Sequence, residues 1–123
     1  MLATQSFFKN NPTPPYVEAT GGDSIVTDGD YKVHIFTSSK TSGSDGFNVS
    51  NAGLPSGSNT VEYLVIAPGA GGGAHPGGTE GGIGGGAGAG GVRTATGLAA
   101  SLGNHNITIN AGGASNTNGG VST

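Results

Sequence analysis

Apolar side chains along this chain recur at every second position, in short runs, and nowhere at helical spacing over a useful length. The run Tyr31-Lys32-Val33-His34-Ile35-Phe36-Thr37 sets Tyr31, Val33 and Ile35 on one face and Lys32, His34 and Phe36 on the other, which is the period of a strand. Residues 24–27 predict a shorter strand ahead of it, with Asp28-Gly29-Asp30 as the turn between them. Residues 46–50 alternate again, with Phe47 and Val49 inward, and residues 51–58 read as a loop. Residues 61–67 form the most apolar run, expected to be the central strand, buried on both faces near its end. Further on, residues 91–96 and 106–110 alternate as two more strands, joined through residues 98–103. The pattern therefore predicts an all-β fold. It is a small antiparallel β-sandwich built from residues 23–67 and rejoined by strands near Val92 and Ile107.

Composition divides the chain into three parts: an arm (1–22), the sandwich strands (23–67) and a glycine-rich segment with returning strands (68–123). Glycine accounts for 27 of 123 residues, and 14 of these fall among the 23 residues from 69 to 91. From Gly77 the run divides into triplets, GGT, EGG, IGG, GAG and AGG. Two readings fit such a run. One is a flexible linker. The other is a polyglycine-II-like array of extended three-residue helices, in which glycine lets neighbouring backbones approach and the third residue points outward. Ile83, Ala87 and Ala89 are too apolar for a linker optimised for solvent, which favours packing. In the arm, Asn10-Asn11-Pro12-Thr13-Pro14-Pro15 favours extended backbone, because each proline fixes φ and removes a donor. Such a segment reads either as a solvated tail or as an extended anchoring arm that docks Phe7, Phe8, Pro14, Pro15 and Tyr16 on another subunit. Large apolar side chains are few for a chain of this length, so subunit contacts are expected to complete the fold.

Charge and cysteine content narrow the function classes. Charged residues are 9% of the chain and the formal net charge is −3. Four basic residues cannot build a phosphate-neutralising patch, so no nucleic-acid partner is expected. No apolar run approaches the ~18 residues that span a bilayer, so no membrane insertion is expected. With zero cysteines there is neither a disulfide scaffold nor a thiolate metal site. The first twenty residues lack the basic and apolar regions of a secretion signal.

Motifs that imitate chemistry fail on context. Leu64-Val65-Ile66-Ala67-Pro68-Gly69-Ala70-Gly71-Gly72-Gly73-Ala74 looks like a strand leading into a dinucleotide turn, but His75-Pro76-Gly77-Gly78 cannot open the required helix. Lys40-Thr41 lacks the glycines of a phosphate loop. His34, His75 and His105 share no zinc-ligand spacing, and Asp28-Gly29-Asp30 lacks the rest of a calcium loop. Asn48-Val49-Ser50 and Asn106-Ile107-Thr108 match the glycan acceptor pattern inside predicted strands, as a chain with 12 Ser, 13 Thr and 10 Asn will do freely. No catalytic set, no cofactor and no metal are expected, and the chain reads as non-enzymatic.

Three strings taken together carry a resemblance. They are Asp30-Tyr31-Lys32-Val33-His34-Ile35-Phe36-Thr37-Ser38-Ser39, then Phe47-Asn48-Val49-Ser50-Asn51-Ala52-Gly53, then Ser58-Asn59-Thr60-Val61-Glu62-Tyr63-Leu64-Val65-Ile66-Ala67 ahead of a polyglycine run. This series resembles the glycine-rich domain of phage tail-fibre and virion proteins over about residues 21–115. Gly91-Val92-Arg93 and the string from Asn106 to Ala114 fit the same family's later strands. The chain departs from it at residues 40–45, which are inserted, and at Pro68 and His75-Pro76, which interrupt the glycine run. Glycine-rich phage tip adhesins are similar, with packed polyglycine helices carrying variable loops. The resemblance implies a non-enzymatic virion component attached by its start, most simply a tail fibre or receptor-binding adhesin. A capsid decoration or head fibre is the alternative, and a bacterial extracellular filament or matrix protein is the second. It implies a homo-oligomer, a trimer by analogy, located in the virion and touching other virion proteins. A host surface glycan or outer-membrane protein would be met by loops, among them residues 38–45, 54–58 and a tip carrying His75, Pro76, Thr79 and Glu80.

Overall fold

Alternating apolar residues and glycine turns become seven strands in the computed structural model, which describes residues 13–41, 43, 45–73 and 85–123. The strands are β1 (Val17–Thr20), β2 (Ser24–Asp28), β3 (Tyr31–Ile35), β4 (Phe47–Ala52), β5 (Thr60–Ile66), β6 (Val92–Ala99) and β7 (Gly103–His105). No helix occurs among the described residues. Every strand pairing is antiparallel: a three-stranded sheet ordered β1-β4-β7, a β2–β3 hairpin and a β5–β6 pair. The sheets pack together as a small, open β-sandwich, with the His34 ring of β3 edge-on against Phe47 of β4 at 5.1 Å between centroids. The β2–β3 turn falls where the sequence put it. Asp28 pairs with Tyr31, and Gly29 between them takes a φ of 57°, a left-handed value that glycine adopts without a β-carbon clash.

Four expectations change. Residues 17–20, grouped by composition with the arm, form β1 and pair with β4, so the sandwich begins inside the segment assigned to the arm. The strand expected over residues 106–110 does not form, and β7 lies just before it at Gly103–His105. β4 runs on to Ala52, through residues read as loop. β5 is not buried on both faces: Val61, Tyr63 and Val65 are half-buried, while Leu64 and Ile66 stand 63% and 65% exposed. The reason is architectural. β5 pairs only with β6, and no second layer of this chain covers its outer face. Among the described residues Val49 is the one fully buried apolar side chain.

Below the β5–β6 pair the ladder continues into the glycine-rich segment with a different period. Ala67 donates its backbone N–H to the Gly91 carbonyl at 2.8 Å, Ala70 to Gly88 at 3.0 Å and Gly73 to Gly85 at 3.1 Å. Donors facing one neighbour are thus three residues apart, not the two of a β-ladder. The chain end repeats the arrangement. Thr117 donates to Ala114, Gly120 to Ala111 and Thr123 to Thr108, at 2.9, 3.1 and 2.9 Å. The two ladders are cross-linked, Gly113 donating to Gly69 and Asn116 to Gly72, both at 3.0 Å, and Gly71 donating to Thr117 at 2.9 Å. Three residues per turn is the period of an extended left-handed helix, whose successive residues face three directions. Segment 67–73 uses two of these directions for its neighbours. Pro68 does not disturb the ladder, because the donors on either side of it are Ala67 and Ala70. Residues 74–84 lie outside the described residues.

Glycine is required here by close approach. A β-carbon at Gly71 would collide with the Ala114 carbonyl, and one at Gly90 with the Ala67 carbonyl. Gly86 has open space around its missing β-carbon and an ordinary φ. Gly71→Ala is therefore expected to lower stability by about 1–3 kcal/mol, as overpacking does. Gly86→Ala is expected to be neutral or stabilising by up to about 1 kcal/mol, through the unfolded chain. Thermal unfolding of the two variants beside the parent chain checks this pair, and equal losses would contradict it.

Candidate functional site

Asp23 is the most connected polar side chain described, and its position follows from the sequence around it. Gly21 and Gly22 turn the chain out of β1 with φ values of 97° and 109°, so Asp23 opens β2 beside the far end of β3. Its N–H donates to the Ile35 carbonyl at 2.7 Å. Its carboxylate accepts the backbone N–H groups of Thr37 at 2.7 Å and Ser38 at 3.0 Å, and both hydroxyls at 3.1 Å. Lys40 Nζ lies 2.8 Å from Asp23 Oδ1. The Lys40 ammonium, then the Thr37 amide, hold the Asp23 carboxyl well below the usual carboxylate range. Asp23 in return holds the Lys40 ammonium above its ordinary value.

This arrangement is a lock, not a reactive pair. Condensing a lysine with a carboxyl group to an amide needs a neutral amine and a protonated acid, and here each partner stabilises the charged form of the other. The lock's reach is long. It fixes residues 37–40, whose backbone Lys40 exchanges two hydrogen bonds with Ile107, at 2.8 and 2.9 Å. Next to it the Ser39 hydroxyl donates to the Ile109 carbonyl at 2.9 Å and accepts the Ile109 N–H at 2.8 Å. Asp23 thereby ties the β2–β3 hairpin to the start of the chain-end ladder.

His34 and His105 flank Phe47, the latter ring 6.4 Å away between centroids. His34 Nδ1 donates to the Gly21 carbonyl at 2.7 Å, and His105 Nε2 to the Ser101 carbonyl at 3.0 Å. Each imidazole thus spends a nitrogen on a backbone oxygen. No group of three or more metal-capable side chains occurs among the described residues.

Above these rings lies an open cleft of about 1540 Å³, walled by β1, β3, β4, β5 and part of β6. Its lining is largely apolar and includes Tyr31, Val33 and Ile35 on β3, Leu64 and Ile66 on β5, and Leu98 on β6. Sequence reasoning assigned Tyr31, Val33 and Ile35 to one strand face without finding this cleft. The half-buried residues of β3 and the segment after it are His34 and Phe36, on the opposite face.

The residues assigned to a docking arm divide. Pro14, Pro15 and Tyr16 are held by their own chain. Asn51 Nδ2 donates to the Pro14 and Tyr16 carbonyls, both at 2.9 Å, and the Pro15 carbonyl accepts N–H groups from Ser58 at 2.9 Å and Leu54 at 3.3 Å. Tyr16 still shows 56% of its surface, so its ring is open to a partner while its backbone is not. Phe7, Phe8, His75, Pro76, Thr79 and Glu80 lie outside the described residues.

The lock gives a pH dependence. The folded Asp23 carboxyl titrates below its unfolded value near 3.9, so its stabilisation is complete above about pH 4–5 and is lost as pH falls through the folded value. Lys40, raised, contributes below its unfolded value near 10.4 and loses that contribution as pH rises through the folded one. Asp23→Asn is therefore expected to lower the melting temperature at pH 7 and to make its fall between about pH 4 and pH 2 shallower. Melting curves of both proteins across that range are the check, and parallel acid limbs would contradict the lock.

Comparison with protein-family models, with curated proteins and with solved structures finds no match to this chain.

Proposed function

We propose that this chain is a non-enzymatic structural component of a phage virion, a tail fibre or receptor-binding component attached by its N-terminal arm. The observation that carries the reading is the pair of three-residue ladders below the β5–β6 pair. They join β-strands to glycine backbone with hardly any side-chain core, which suits a rigid projecting part and offers no enclosed site. The strings that resemble the phage glycine-rich domain coincide with β3, β4 and β5, and β5 feeds the first ladder as that resemblance implies. In this reading the chain is a homo-oligomer, a trimer by analogy, seated on other virion proteins through Phe7 and Phe8. The loop carrying His75, Pro76, Thr79 and Glu80 is the outward tip that meets a host surface glycan or outer-membrane protein. A capsid decoration or head fibre would use the same parts at another place on the particle. The unpaired edges of the β2–β3 and β5–β6 hairpins favour, as a second reading, a bacterial extracellular filament grown by strand addition.

Antibody labelling of purified particles separates these. Label at the distal tail is the expected result. Label on the capsid would support the head-fibre alternative, and label on cell-bound filaments with none on particles would overturn the virion reading. In the same particles, Phe7→Ala with Phe8→Ala is expected to lower incorporation on the order of tenfold or more, the loss of two buried aromatic anchors. Deleting residues 74–80 should leave incorporation intact and reduce adsorption to the host. Unchanged incorporation of the double variant would show that the arm does not anchor.

A further inference from the structure

We infer that the open apolar cleft between β3, β5 and β6 is the face on which a second copy of this chain sits. The inference rests on the homo-oligomer part of the reading above, to which it gives a place and residues, and it does not depend on the virion.

Seven of the cleft's large apolar or aromatic residues are substantially exposed: Tyr16, Tyr31, Val33, Ile35, Leu64, Ile66 and Leu98. Tyr31 is 67% exposed and Ile66 65%, values typical of solvated polar side chains. Their open apolar area is on the order of 700 Å², more than the ~300–600 Å² of the largest patch on an ordinary monomer. It is close to the ~800 Å² that each partner brings to a standard protein–protein interface. The rest of the fold makes such cover necessary. Val49 alone is fully buried among the described apolar side chains, and each of the two hairpins flanking the cleft is a two-stranded sheet. Isolated two-stranded sheets are marginal in water, and three or more strands or a packed face are what stabilise them.

A small-molecule ligand fits less well. The cleft's 1540 Å³ exceeds the ~300–1,000 Å³ of ordinary ligand pockets. The two imidazoles at its floor are already engaged with backbone carbonyls. A second copy supplies what the cleft lacks, since the same chain carries a matching apolar face and unpaired strand edges.

The test is sedimentation of the full chain over a wide concentration range, with melting temperature followed in parallel. The parent is expected to sediment at a multiple of 11.7 kDa and to melt higher as concentration rises. Tyr31→Glu with Leu64→Glu places charges in the face and is expected to weaken assembly on the order of a hundredfold or more. Leu102→Glu, at a residue 67% exposed and outside the cleft, is expected to leave assembly unchanged. A parent that sediments at 11.7 kDa throughout, with a melting temperature independent of concentration, would overturn the inference, as would a double variant that assembles like the parent. The concentration dependence is read on the unsubstituted chain, so it decides the matter whether or not the double variant keeps its fold. Failure here leaves the virion reading standing, because that reading is decided by where label falls on particles.

Discussion

Backbone hydrogen bonding between segments that carry almost no side chain is the interaction on which this structure depends. An ordinary domain of this length draws much of its stability from buried apolar side chains. Here Val49 is the one such side chain fully buried among the described residues. What replaces the core is proximity. Segments 67–73, 85–91 and 108–123 approach closely enough for amides to pair at every third residue, and a β-carbon at the contact points would push them apart. Glycine costs more conformational entropy on folding than any other residue. That cost is incurred where the backbone itself is the packing surface. Where the backbone faces open space, as at Gly86, the same residue type has no such function.

The polar lock at Asp23 follows from the same shortage. Without a core to hold the end of β3 against the chain-end ladder, one carboxylate gathers two amides, two hydroxyls and an ammonium, and the residues it fixes reach Ile107 and Ile109. Sandwich and glycine ladders are thereby joined by hydrogen bonds at positions far apart in the chain, while the apolar faces of β3 and β5 remain uncovered. Apolar surface that cannot be buried within one chain is then available between chains, which links the poverty of the core to assembly.

Strand type was legible wherever side chains alternate. Residues 24–28, 31–35, 47–52, 60–66 and 92–99 were all foreseen to within a few residues, and so was the turn at Gly29. Two kinds of feature were not. β1 was hidden because Val17-Glu18-Ala19-Thr20 is short, weakly apolar and follows a proline-rich stretch, so only its partner β4 makes it a strand. Ile107-Thr108-Ile109 alternates like a strand yet enters a three-residue ladder, because its neighbours at residues 117–123 are glycine-rich and accept that period. The Asp23 lock was equally invisible, since a lone aspartate ahead of a strand gives no sign that residues 37–40 will return to it. The triplet phrasing of the glycine run did suggest a three-residue packing. The described ladders around residues 67–73, 85–91 and 108–123 have that period.

The central claim, that glycine backbone packs in place of a core, is tested most directly by amide hydrogen exchange resolved at single residues. The account predicts slow exchange at Ala67, Ala70 and Gly73 and again at Thr117, Gly120 and Thr123, so that protection recurs every third residue along both ladders. Exchange at unprotected rates throughout residues 67–73 and 108–123, with protection confined to the β-strands, would contradict it.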